Sequence, residues 1–62
     1  MISRENLIKE LQKKAEKVGY LEEIRISNFI KRIKTGIYDD PSLLYTRLRK
    51  FGYKDLAEKV NE

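Results

Sequence analysis

Residues 20–36 read Tyr20-Leu21-Glu22-Glu23-Ile24-Arg25-Ile26-Ser27-Asn28-Phe29-Ile30-Lys31-Arg32-Ile33-Lys34-Thr35-Gly36. The fold turns on how this stretch divides. Ile26, Phe29, Ile30 and Ile33 recur at helical spacing within about 100° of arc, which predicts a helix with one buried stripe. Leu21 and Ile24 point away from that stripe, and two readings account for them. One is a short helical turn over 21–25, a reorientation, and a second helix over 27–35 with Ser27 as its cap. The other is a single helix buried on two sides. Both end the helix near Lys34, with Gly36 closing it.

On the N-terminal side, Ser3 is a good N-cap, and Ile2 can staple onto Leu7 at the fourth helical position. Leu7, Ile8, Leu11, Ala15 and Val18 then form one apolar stripe, predicting a helix over 4–18. Glu5–Lys9 and Glu10–Lys14 supply i,i+4 pairs on its wet face. Gly19 is expected to end it as a left-handed cap.

On the C-terminal side, Asp40-Pro41 places a capping carboxylate before a proline at the first helical position. A helix over 41–51 follows, burying Leu44, Leu48 and Phe51 with Tyr45 at the edge, and Gly52 ends it. Tyr53, Leu56, Ala57 and Val60 mark a last helix over 54–60, with Asp55 and Lys59 placed as the helix dipole prefers. Gly-Tyr occurs at 19–20 and again at 52–53. Both pairs read as the same C-cap, the tyrosine packing back on the residue five before it, Ala15 or Leu48. No stretch alternates with period two and no hairpin turn pair occurs. The expected fold is all-α: a single domain over 1–62, a bundle of four or five short helices.

Composition restricts the chemistry. The 62 residues contain no cysteine and no histidine. That removes disulfides, thiolate or imidazole metal ligands and imidazole acid–base catalysis. Ser3, Ser27, Ser42, Thr35 and Thr46 have no histidine to activate them. The acid pairs Glu22-Glu23 and Asp39-Asp40 read as dipole partners and a cap before they read as a hard-metal site. No Gly-rich phosphate loop is present. The expectation is a non-enzyme without cofactor or metal. No apolar run approaches the roughly 20 residues of a bilayer span, and the first residues lack the apolar core of a secretory leader. A cytoplasmic location is therefore expected. A chain this short buries only about 60% of its unfolded surface, so a homodimer is one way it would gain stability.

Charge is sharply polarised. Residues 1–24 carry five basic and five acidic side chains. Residues 25–54 hold Arg25, Lys31, Arg32, Lys34, Arg47, Arg49, Lys50 and Lys54 against Asp39 and Asp40, a net of +6. Arg25, Asn28, Lys31, Arg32 and Lys34 lie opposite the apolar stripe of their helix. Such a face suits nucleic acid, duplex DNA above all: Lys and Arg neutralise phosphates, and Asn28 and Arg32 are types that read base edges. Arg47, Arg49 and Lys50 can contact the backbone from the next helix. Tyr38 and Tyr45 flank the segment; packing at the core or its rim is the commoner role for such tyrosines, and stacking on unpaired bases is the other. An acidic protein partner fits the same charge. Basic faces also occur where they only solvate the fold. The apolar faces are needed for the core, which argues against a membrane partner.

Ser27-Asn28-Phe29-Ile30-Lys31-Arg32-Ile33-Lys34-Thr35-Gly36, followed by Asp40-Pro41-Ser42-Leu43, resembles the end of a phage-repressor-type helix-turn-helix domain. The likeness extends over residues 27–53, with shorter spacing than that family between Gly19 and Gly36. It implies a recognition helix ending at Gly36, with Ser27, Asn28 and Lys31 facing the bases. Two functions are thus expected to compete. One is a small DNA-binding regulator or accessory factor using residues 25–50. The other is a non-catalytic helical interaction module: an inhibitor, adaptor or assembly subunit.

Overall fold

Two helical hairpins form the molecule, and Ser3, Gly36, Asp40-Pro41 and Gly52 bound their helices as the sequence announces. The structure, a computed structural model, describes residues 2–61. Met1, first residue of the segment read as lacking a leader, and Glu62 lie outside them. The described residues form four helices: α1 (Arg4–Ala15), α2 (Tyr20–Lys34), α3 (Pro41–Phe51) and α4 (Lys54–Asn61). None is long and apolar enough to cross a membrane.

Ser3 caps α1, its Oγ accepting from the Asn6 N–H at 3.1 Å. Asp40 caps α3: its carboxylate accepts from the Ser42 backbone N–H at 2.9 Å and the Ser42 hydroxyl at 2.8 Å. These bonds, the hydroxyl's first, hold the Asp40 carboxyl below its ordinary value. Pro41 occupies the first turn, where its missing N–H costs nothing. At the far end of α3, Gly52 (φ 90°) is left-handed. The Gly52 N–H donates to the Arg49 carbonyl and the Tyr53 N–H to the Leu48 carbonyl, both at 3.0 Å. This is a Schellman closure. Gly36 closes α2 in the same way, its N–H donating to Ile33 and the Ile37 N–H to Arg32.

Three sequence expectations are corrected. First, α1 ends at Ala15 rather than residue 18, with Glu16 as its right-handed C-cap. Second, Gly19 is not a left-handed cap: it sits at φ −70°, ψ 171° and serves as the N-cap of α2. Third, residues 21–25 and 27–35 are not separate helices. Ser27 lies mid-helix in one continuous α2. Nor is α2 buried on two sides, because Leu21 is 77% and Ile24 40% exposed. Off-stripe apolar residues signal a break only if they must be buried, and a chain of this size has too little interior to bury them all.

α1 packs on α2 and α3 on α4. The core is Leu7, Leu11, Ile26, Phe29, Ile30, Ile33, Leu48, Leu56, Ala57 and Val60. All ten fall on the predicted stripes, and fully burying each of the Leu, Ile, Val and Phe side chains among them contributes about 1.5–3 kcal/mol. An aromatic column joins the hairpins. Phe29 meets Tyr38 edge-on at 5.1 Å and stacks on Phe51 at 5.0 Å, and Phe51 stacks on Tyr53 at 5.8 Å. Ties at the periphery complete the closure: Arg4 to Asp39 at 2.6 Å, and the Ile2 N–H to the Lys59 carbonyl at 3.2 Å. Lys14 does not pair with Glu10. It reaches across to Asp55 at 3.9 Å and lies 4.9 Å from the Tyr53 ring centre.

Candidate nucleic-acid interface

The exposed face of α2 is divided by its neighbours. Arg25, Phe29 and Arg32 stand at i, i+4 and i+7, so they align along the side of α2 turned toward α3. Asn28 lies beside them. From α3, Arg47 and Phe51, also i and i+4, face the same space, and Tyr38 closes one end from the connecting loop. These seven residues line a cleft of about 190 Å³. Three of them are arginines, and none is a carboxylate.

The arginines are held by aromatic neighbours. The Arg47 Nε–H donates to the Tyr38 hydroxyl at 3.1 Å. The Arg25 guanidinium lies 5.6 Å from the Phe51 ring centre, within cation–π range. It also stands 3.8 Å from Glu22, an exposed i,i+3 contact of little energetic weight. The Arg32 side chain has no hydrogen bond or ion pair among the described residues. Behind the cleft, burial pushes the Tyr53 phenol above its ordinary value. The Glu22 charge adds to this and Arg25 opposes it.

Ser27, Lys31 and Lys34 fall on the other side of α2. They line a groove of about 420 Å³ against α1 with Gln12, Ala15, Glu16, Val18, Glu23 and Ile30. Two lysines and two glutamates share this lining, so its formal charge sums to zero. The predicted basic face is therefore two surfaces: the α3 side is lined by three arginines and no carboxylate, with Glu22 near Arg25 outside the lining, and the α1 side by equal numbers of lysines and glutamates. Arg49 lies outside both, its Nη1–H donating to the Tyr45 hydroxyl at 3.2 Å, and Lys50 is exposed in the last turn of α3.

Sequence reading missed Phe29 and Phe51 as part of the site, because both were assigned to the core. The i, i+4, i+7 row Arg25–Phe29–Arg32 was the available signal. Tyr38 takes the packing role expected of a tyrosine here, meeting Phe29 edge-on, and its hydroxyl accepts from Arg47. The hydroxyls considered as nucleophiles are largely engaged locally. Thr35 donates to the Arg32 carbonyl and Thr46 to the Ser42 carbonyl, both at 2.9 Å, and Ser3 and Ser42 belong to caps. Among the described residues, no three acidic side chains gather as a metal site would require.

No family model matches this chain, and neither a curated protein nor a solved structure matches it.

Proposed function

We propose that this chain is a non-catalytic nucleic-acid-binding module, with duplex DNA as the favoured partner, centred on the α2–α3 arginine cleft. One observation carries the reading: three arginines from two helices surround one concavity whose lining contains no carboxylate. Guanidinium groups on rigid helices suit phosphate oxygens, which they bind in a planar fork. Asn28, in the same cleft, has the donor and acceptor needed at a base edge. Arg49 and Lys50 extend the positive surface along α3, while Lys31 and Lys34 offer weaker, partly neutralised contacts. The reading stands on this charge geometry and not on the helix-turn-helix resemblance.

The test is fluorescence anisotropy of labelled duplex DNA across a salt series. Wild type should bind in the micromolar range or better, with affinity falling steeply as salt rises. Arg32→Glu with Arg47→Glu should abolish measurable binding while leaving the helical circular dichroism intact, since both side chains are exposed. Retained affinity in that double variant would overturn the proposal.

A second reading is favoured by one feature. Tyr20, Leu21 and Ile24 form an exposed apolar patch at the start of α2, which suits an interaction module or a homodimer. Sedimentation velocity over a concentration series tests it. Self-association weakened by Ile24→Glu would support it, and a monomer at all concentrations would remove the homodimer.

A further inference from the structure

The arginine cleft differs from an ordinary basic surface in how its charges are held and in how little room it contains. Arg47 spends one N–H on Tyr38, and a guanidinium has five donors. Arg25 is positioned against Phe51 with one exposed contact to Glu22 at 3.8 Å, and Arg32 is unengaged among the described residues. Most of the donors are therefore free, on side chains fixed at their bases by two helices. The rings behind them are engaged with one another, Phe51 stacking on both Phe29 and Tyr53. The cleft is thus rich in donors and offers little ring surface to a base.

Size and charge narrow the ligand. At about 190 Å³ the cleft is smaller than the roughly 300–1,000 Å³ of a pocket that engulfs a whole small molecule. It suits a single compact group presented by a larger molecule that stays outside. An internal phosphodiester brings one negative charge and two unesterified oxygens. A phosphomonoester brings about −1.5 to −2 at neutral pH and three acceptor oxygens. Three guanidiniums match the second group better than the first.

We infer that the α2–α3 cleft is a phosphomonoester site, formed by Arg25, Arg32 and Arg47, that prefers a terminal phosphate to an internal phosphodiester. The terminal phosphate is that of a nucleic-acid strand end or of a free nucleoside monophosphate. The nucleic-acid source rests on the function proposed above. The phosphate chemistry of the cleft does not.

The experiment separates the two. Anisotropy is measured with one duplex in three forms: 5′-phosphorylated, 3′-phosphorylated and without terminal phosphate. Adenosine monophosphate and adenosine are titrated separately, followed by NMR of the arginine side chains. At least one phosphorylated end should bind about tenfold more tightly than the unphosphorylated duplex, the scale of added charge-assisted hydrogen bonds. Arg32→Gln and Arg47→Gln should each erase that preference. Lys9→Gln, an equal charge change on the exposed face of α1, should keep it. Equal affinity for all three duplexes would overturn the inference and leave the nucleic-acid reading standing. Preference surviving both arginine variants would overturn the assignment to this cleft. Saturable binding of adenosine monophosphate but not adenosine, with no duplex bound, would support the phosphate site and overturn the nucleic-acid reading. Binding of none of these probes would overturn both.

Discussion

The same four-residue pattern, lysine, apolar residue, glycine, tyrosine, joins the helices of each hairpin, and the two copies fold differently. At Lys50-Phe51-Gly52-Tyr53 the glycine is left-handed and closes α3, and the tyrosine packs onto the core as the end of the aromatic column. At Lys17-Val18-Gly19-Tyr20 the glycine is extended, caps the next helix, and leaves the tyrosine 74% exposed. The difference lies upstream. α3 stays helical up to Phe51, so Gly52 must reverse the chain. α1 stops at Ala15, and the residues before Gly19 have already made the turn. A local motif thus takes its conformation from where the preceding helix ends relative to it.

The largest expected contrast tests the packing at each copy. Leu48, whose carbonyl receives the Tyr53 N–H, is fully buried, so Leu48→Ala should cost about 2–5 kcal/mol. A domain of this length has a total stability of roughly 3–9 kcal/mol, so urea denaturation should find this variant without a large fraction of its stability. Leu21→Ala, beside the other glycine, should shift stability by less than about 0.5 kcal/mol. Next, Tyr53→Ala removes a stacked ring and the partner of Lys14 and should cost about 2 kcal/mol, whereas Tyr20→Ala should be close to neutral. Equal losses at the two tyrosines would abolish the distinction drawn between the turns.

A single substitution at both glycines sharpens it further. Gly52→Ser forces a side chain into a left-handed conformation and should destabilise by about 1 kcal/mol. Gly19→Ser supplies an oxygen to the open N-terminus of α2 and should stabilise by a few tenths of a kcal/mol. Opposite signs in paired thermal melts are the expected outcome.

The smallest effect is pH-dependent. The folded state raises the Tyr53 phenol value, so this group's contribution is complete below the unfolded value of about 10 and declines as pH rises through the folded one. Thermal melts at increasing alkaline pH should show wild type losing more stability than Tyr53→Phe, which keeps the ring without the ionisable hydroxyl.

Much of the fold was legible in the residues. Ser3, Asp40-Pro41 and Gly52 announced helix ends by chemistry that acts within a few residues. The stripes contained every side chain of the buried core. The candidate site was half legible. Arg25, Asn28, Arg32 and Arg47 were marked by charge and type, but grouped with Lys31 and Lys34, which share the α1–α2 groove with Glu16 and Glu23. A helical wheel gives each side chain an angle about its own axis. It says nothing of which neighbouring helix that angle meets.

The sequence by itself determined an all-α chain, its caps, its core stripes and the concentration of positive charge between residues 25 and 54. These depend on local hydrogen bonding, helical periodicity and composition. Only the tertiary structure decided that Gly19 opens a helix instead of closing one, that α2 runs unbroken past Leu21 and Ile24, and that Arg25 and Arg32 meet Arg47 around one cleft. Those outcomes depend on competition for a small interior and on how two helices pack. Both are settled by contacts between residues far apart in the chain.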